Sequence, residues 1–176
     1  MHIVVGLGNP GEEYSHTRHN TGRLAVEFLS KKELEGVKLV HLDTFMNKSG
    51  SGVAKVIKSK KAAEKLIVIY DDLDLPLGTM KVSYDRGSGG HKGIESIART
   101  LGTTAFIRIR VGISPTTPGG KLKKPKGESA VEKFILGDFK KPEMDILNKV
   151  FKKVEEAVQL LSTETLQTAM THANSN

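Results

Sequence analysis

Cysteine and tryptophan are absent from the 176 residues, and the other aromatics are few, three Tyr and six Phe. Without cysteine there is no disulfide framework, no thiol nucleophile and no Cys-ligated zinc or iron–sulfur centre. No run of 18 apolar residues occurs, which argues against a membrane-spanning helix, and the start Met1-His2-Ile3-Val4-Val5 lacks the basic segment and apolar stretch of a secretory leader. A soluble, unprocessed, cytoplasmic protein with no membrane partner is therefore expected. Acidic residues are in deficit, 20 Asp and Glu against 27 Lys and Arg, and the resulting formal charge of +7 favours polyanionic partners such as nucleic acid. The length suits one domain, and no internal repeat suggests otherwise.

The hydrophobic pattern alternates strands with helices. Residues 3–5 and 66–70 read as buried strands, 106–111 as a strand alternating apolar and basic residues, and 37–42 and 80–84 as weaker strands. Alternation places Arg108 and Arg110 on one strand face, where with Lys81 they could meet phosphates. Helical spacing covers 21–34, roughly 50–60, 94–101 and a long C-terminal stretch with Pro142 in its first turn. The expected fold class is α/β, a single-domain three-layer α/β/α sandwich around a mixed, mostly parallel sheet. Residues 114–128 hold three prolines and a lysine run, Lys121-Leu122-Lys123-Lys124-Pro125-Lys126, and are expected to form a mobile basic loop.

Gly6-Leu7-Gly8-Asn9-Pro10-Gly11 satisfies a dinucleotide-binding pattern literally, but Glu12 and Glu13 bring negative charge where a pyrophosphate would sit and Pro10 removes a donor. A turn presenting Asn9 is the better reading, with no nucleotide cofactor. In Tyr14-Ser15-His16-Thr17-Arg18-His19-Asn20-Thr21-Gly22, Asn20 or Thr21 could cap the following helix. The run Asp71-Asp72-Leu73-Asp74 ends a buried strand, where α/β folds build their sites. Three carboxylates invite a metal, yet the Gly-centred loop and distal Glu of an EF-hand are missing. An equally good use for one strand-end Asp is to hold a histidine ring by its N–H, and His19 with Asp71 would be that pair. Gly87-Ser88-Gly89-Gly90-His91-Lys92-Gly93 precedes a helix and offers backbone amides to an anion, while Asn47 stands ahead of another helix, where capping alone would account for it.

Taken in order, GLGNPG, Y-x-x-T-R-H-N-x-G, T-F-M-N-x-S-G, D-D-L-D-L-P-x-G, G-x-G-G-H-x-G and I-R-x-G-I resemble the bacterial peptidyl-tRNA hydrolase family over nearly the whole chain. The resemblance implies hydrolysis of the ester joining a peptide to the 3′ end of tRNA, with neither metal nor nucleotide cofactor, by a cytoplasmic monomer acting in translation and ribosome rescue. It assigns His19 as the base that activates water, Asp71 as its orienting partner and Asn9 as a donor near the attacked carbonyl. Tyr14, Phe45, Met46, Asn47, Gly90, His91 and Lys92 fall at substrate-binding positions, and Lys81, Arg108 and Arg110 in the region that meets tRNA phosphates. The chain departs from the family pattern in four places. Lys92 stands where the family usually has Asn, a cation that could attract the phosphate at the acceptor end, stabilise the oxyanion, or lower the pKa of His19. The stretch between His19 and Asn47 is shorter by roughly a β-hairpin, so one sheet edge should be trimmed. The basic loop is longer, and Ser83 replaces a second basic clamp position. These departures motivate an alternative, a non-catalytic RNA-binding relative of the same fold.

Overall fold

The computed structural model describes residues 1–175, leaving Asn176, the last residue of the expected domain, outside the described part. Five strands, β1 (His2–Gly6), β2 (Val37–Val40), β3 (Leu66–Pro76), β4 (Met80–Tyr84) and β5 (Ile107–Ser114), form one sheet in the order β2-β1-β3-β5-β4. The first four in that order run parallel and β4 runs antiparallel at one edge. The mixed, mostly parallel sheet read from the sequence is therefore present.

Helices cover both faces, as a mostly parallel sheet with buried strands requires. On one side α1 (Thr21–Leu29), α6 (Lys141–Thr163) and α7 (Leu166–Asn174) pack Val26, Leu29, Leu147, Phe151 and Val158 against Ile67, Ile69 and Ile109. On the other, α2 (Ser49–Val53), α3 (Lys60–Ala63) and α4 (Lys92–Leu101) pack Val53, Ala63, Ile94 and Ile97 against Val5, Leu66 and Val68. Two glycines let α1 reach the sheet. A Cβ on Gly6 would lie 2.0 Å from the carbonyl oxygen of Gly22, and one on Gly22 would lie 2.1 Å from that of Ile69.

Several boundaries differ from the sequence reading. The helix expected over 21–34 stops at Leu29, and the one over 50–60 divides into α2 and α3, with the serine at position 59 capping the second by accepting from the Ala62 N–H. A helix the sequence did not announce, α5 (Glu128–Ile135), follows the basic segment and contains no buried residue, which explains its weak apolar signal. Part of the segment expected to be a mobile loop is a small hairpin, with Thr116 bridged to Leu122 and the Thr117 N–H donating to the Lys121 carbonyl at 2.8 Å.

Arg108 corrects a larger expectation. Strand β5 lies between β3 and β4 and is buried along its whole length, so its alternation does not expose a basic face. The Arg108 side chain is fully enclosed, stacks on the Phe106 ring at 3.9 Å and donates to the carbonyls of Thr104 (3.0 Å), Phe106 (2.7 Å) and Arg86. Its guanidinium gathers a turn and is not available to a phosphate. Arg108→Met is expected to cost about 2–4 kcal/mol by leaving these acceptors short of a donor. A guanidinium chloride midpoint unchanged from wild type would refute this structural role.

Candidate active site

The C-terminal ends of β1 and β3 open into a cleft of about 920 Å³ whose walls include Asn9, His19, Phe45, Met46, Asn47, Asp71 and His91. Asp71 continues β3 one step past Tyr70 and is almost wholly buried. His19 arrives on a 3-10 turn, Arg18–Asn20, immediately before α1. The chain pins that turn from outside. The Arg18 N–H donates to the Gly137 carbonyl at 3.0 Å, and the Arg18 guanidinium reaches the Phe134 carbonyl (3.2 Å) and Glu143 (3.3 Å) while lying over the Phe134 ring.

The pairing of His19 with Asp71 is direct, with Nδ1 2.8 Å from Asp71 Oδ2. The second carboxylate oxygen takes His91, whose Nε2 lies 2.9 Å from Oδ1. Since His91 Nδ1 accepts from the Gly93 N–H at 3.2 Å, Nε2 is the nitrogen that carries the proton toward Asp71. His91 was placed by sequence among substrate contacts. The structure gives it a second task, holding Asp71, which spacing could not reveal because the two residues are 20 apart in the chain.

Burial alone would lower the His19 pKa, but the adjacent Asp71 charge and its hydrogen bond outweigh it and raise the value above that of an ordinary histidine. Burial likewise opposes ionisation of Asp71, and the two histidines reverse this, holding its carboxyl well below the usual range. Lys92, exposed at the start of α4, is not among the causes acting on His19, contrary to the lowering anticipated from its charge. With Nδ1 committed to the carboxylate, His19 Nε2 is free to accept a proton at the cleft wall.

His19, Asp71 and His91 also bring three potential ligand atoms within 4.8 Å of one another. The donor set fits a metal poorly as arranged, because His91 presents N–H to the carboxylate and His19 directs Nδ1 at the same group.

Asn9 is locked by its neighbours. Its backbone exchanges two hydrogen bonds with the Asn20 side chain (2.8 and 2.9 Å), so Asn20 secures this turn instead of capping α1. Asn9 Oδ1 accepts from the Met46 N–H at 2.8 Å, which leaves the Nδ2 amide as a donor on the cleft side. Asn47 is exposed in the cleft and caps no helix, Lys48 holding that place. Phe45 is exposed at the rim and meets the Tyr14 ring edge-on at 6.5 Å, whereas Met46 is buried in the core. Tyr14 is not itself among the cleft walls; it supports Phe45 from behind.

Gly90 and Lys92 edge the cleft, and Gly90 has a φ of +85° that favours glycine. Arg110 reaches it too, though its guanidinium already donates to Asp72 (3.0 Å) and Ser83 (3.1 Å). Lys81 is exposed on β4 outside the cleft walls. The far wall is made by α5 through Glu128, Val131, Glu132 and Ile135, and by Lys124, which pairs with Asp74 at 2.5 Å. Sequence reasoning did not single out α5, Arg86 or Tyr70. Only Tyr70, next to Asp71 on a buried strand, carried a positional signal.

Residues 3–176 match the family model described as Peptidyl-tRNA hydrolase. A curated peptidyl-tRNA hydrolase of Thermotoga sp. (strain RQ2) is 40% identical, the match covering 98% of this chain and 97% of that protein. One of Aquifex aeolicus (strain VF5) is 36% identical over 98% and 95%. The crystal structure of peptidyl-tRNA hydrolase from Acinetobacter baumannii superposes with a TM-score of 0.85 at 28% identity, covering 99% of this chain and 95% of the other.

Proposed function

Because the chain belongs to the peptidyl-tRNA hydrolase family and is a hydrolase of peptidyl-tRNA, we propose that His19, held by Asp71, is the base that activates water for this reaction. The observation that carries the assignment is the 2.8 Å contact of His19 Nδ1 with Asp71, which leaves Nε2 open to the cleft.

Water bound at His19 Nε2 gives up a proton as its oxygen attacks the ester carbonyl carbon. The carbonyl oxygen gathers negative charge, and the Asn9 Nδ2 amide, fixed by the Met46 N–H, is preorganised as a donor to it, with the exposed Asn47 amide close by in the same cleft. Asp71 stabilises the imidazolium formed, and His91 keeps the carboxylate oriented. When the bond between carbonyl carbon and ribose oxygen breaks, the proton on His19 passes to that oxygen. The products are tRNA with a free 3′-terminal ribose and a peptide carboxylic acid, which loses its proton to solvent, and no covalent enzyme intermediate forms.

The peptide lies along Phe45, with Tyr14 behind it, while Gly90 and Lys92 line the opposite lip. The reading extends to a single domain over the whole chain, acting on tRNA as a monomer in the cytoplasm. The charge of +7 supports a polyanionic partner, and among the described residues no helix is long and apolar enough to cross a membrane.

The test is peptide release from N-acetyl-aminoacyl-tRNA with and without EDTA, with the unblocked ester alongside. Turnover is expected to be insensitive to the chelator and to favour the blocked ester, since a neutral amide tolerates enclosure where an ammonium does not. Loss of turnover in EDTA, restored by a divalent cation, would refute a water activated by His19 alone.

A further inference from the structure

Arg18 and His19 are neighbours on the turn before α1, but their side chains serve different parts of the molecule. His19 binds Asp71 in the cleft, whereas the Arg18 guanidinium donates to the Phe134 carbonyl near the end of α5 and to Glu143 in the first turn of α6. The Arg18 side chain is 12% exposed, and its guanidinium lies 4.4 Å from the centre of the Phe134 ring and 5.7 Å from that of Phe139. The backbone follows the same seam. Besides the Arg18 N–H on the Gly137 carbonyl, the Phe139 N–H donates to the His16 carbonyl at 3.0 Å, and Thr17 is bridged to Asp138.

The other side of this seam is the far wall of the cleft. Helix α5 presents Glu128, Val131, Glu132 and Ile135 there and has no fully buried residue, so the core alone holds it weakly. Gly137 leaves the room that the link needs. A Cβ at this position would fall 2.8 Å from Arg18 Nη1 and 3.3 Å from the Phe134 carbonyl oxygen, the two atoms that the hydrogen bond joins. Its φ lies outside the left-handed region, so the glycine serves space and not a turn. Arg18 itself is not among the cleft walls, and whatever it contributes to the reaction passes through its neighbour.

We propose that Arg18 is a positioning residue for the reaction, tying the turn that carries His19 to the α5 wall so that the base and the opposite face of the cleft are held at one spacing. The proposal rests on His19 as the base. The bond from Nδ1 to Asp71 sets the direction of the ring, while the turn beneath it sets how far Nε2 extends toward the substrate. An error of about 1 Å in the placement of a reacting group costs about a hundredfold in rate. A guanidinium suits the task, because its planar fork serves a carbonyl and a carboxylate at once, which a lysine ammonium on a flexible stem does less rigidly.

The experiment compares wild type, Arg18→Met, Arg18→Lys, Gly137→Ala and the double variant Arg18→Met with Gly137→Ala on N-acetyl-aminoacyl-tRNA. Arg18→Met and Gly137→Ala are each expected to lower kcat about ten- to a hundredfold with KM within about twofold of wild type. Both should move the rising limb of kcat/KM to lower pH, because a loosened contact with Asp71 raises the His19 pKa less. The Arg18 charge is not among the causes acting on His19, so the shift reports geometry. Arg18→Lys should recover part of kcat, and the double variant should lose no more than Arg18→Met, since both changes break one link. A lowered denaturation midpoint with kcat and the limb at wild-type values in either single variant overturns the proposal, as does a double variant whose losses multiply. Where Arg18→Met fails to fold, Gly137→Ala decides alone, because the atom it displaces first is the end of a flexible side chain. Failure of the base assignment shows separately, as turnover by His19→Ala, whereas an inactive His19→Ala beside unaltered Arg18 and Gly137 variants removes only the link.

Discussion

Replacing His19 by alanine is expected to slow single-turnover hydrolysis of N-acetyl-aminoacyl-tRNA by about a hundred- to ten-thousand-fold, the range supplied by a positioned acid–base group. The affinity for tRNA should stay near that of wild type, because the basic side chains of Arg86 and Arg110 lie elsewhere on the cleft. The fold should persist as well. His91 continues to donate to Asp71 at 2.9 Å, so the buried carboxylate is not stranded when the His19 ring is removed. Rapid-quench kinetics beside tRNA binding by anisotropy separate the two effects. A variant that retains full turnover would remove His19 from the mechanism.

Asp71→Asn is expected to cut kcat by about a thousand- to ten-thousand-fold, as replacement of an orienting carboxylate by an amide does where it holds a catalytic imidazole. The amide can present at most one acceptor oxygen, while two histidines compete for it. The pH profile gives the sharper readout. The proposed mechanism requires the base form of His19, whose pKa is raised, so kcat/KM should climb with pH through a limb above the ordinary histidine value of about 6.5. Without Asp71 only burial remains to act on His19, and burial lowers its pKa, so the limb of the residual activity should move to lower pH.

Stability follows the same signs. The raised pKa of His19 contributes stability that is full below pH ~6.5 and is lost as pH rises through the folded value, and the variant should lose that dependence. The lowered pKa of Asp71 contributes stability present above about pH 4 and lost as pH falls through the folded value. Chemical denaturation across pH 3 to 9 reads the His19 dependence and the onset of the Asp71 one. A limb that stays at the wild-type position in Asp71→Asn would refute the electrostatic coupling.

Much of the architecture was legible because it rests on short-range pattern. The β-branched run of β1, the apolar run ending in acids of β3 and the 3.6-residue repeat of α6 each identify an element without reference to its neighbours. The partnership of His19 with Asp71 was legible for a different reason, since a strand-end carboxylate and a histidine make chemical sense together. What sequence could not show was which strand would be central. Alternation along β5 reads as one wet face and one dry face, but in the folded chain the Phe106 ring and the carbonyls of Thr104 and Arg86 close over Arg108. Capping, which the sequence left open for Asn20 and for Asn47, is what neither side chain does, because the local rule holds for any polar residue before a helix, whereas Asn20 is claimed by Asn9, eleven residues away. Helix α5 escaped notice because it buries nothing.

The strand order has a consequence for vectorial synthesis. Strand β4 leaves the ribosome before β5, yet within the sheet it pairs with β5 alone. Until Ile107–Ser114 has emerged, β4 has no neighbour to join, β3 has a bare edge and the Arg86 turn has no buried guanidinium to close it. His19, Asp71 and His91 are all made by then, but the frame that holds them is not. A nascent chain of this hydrolase, itself still esterified to tRNA, therefore carries these three side chains for a stretch of its synthesis without the sheet that brings them together.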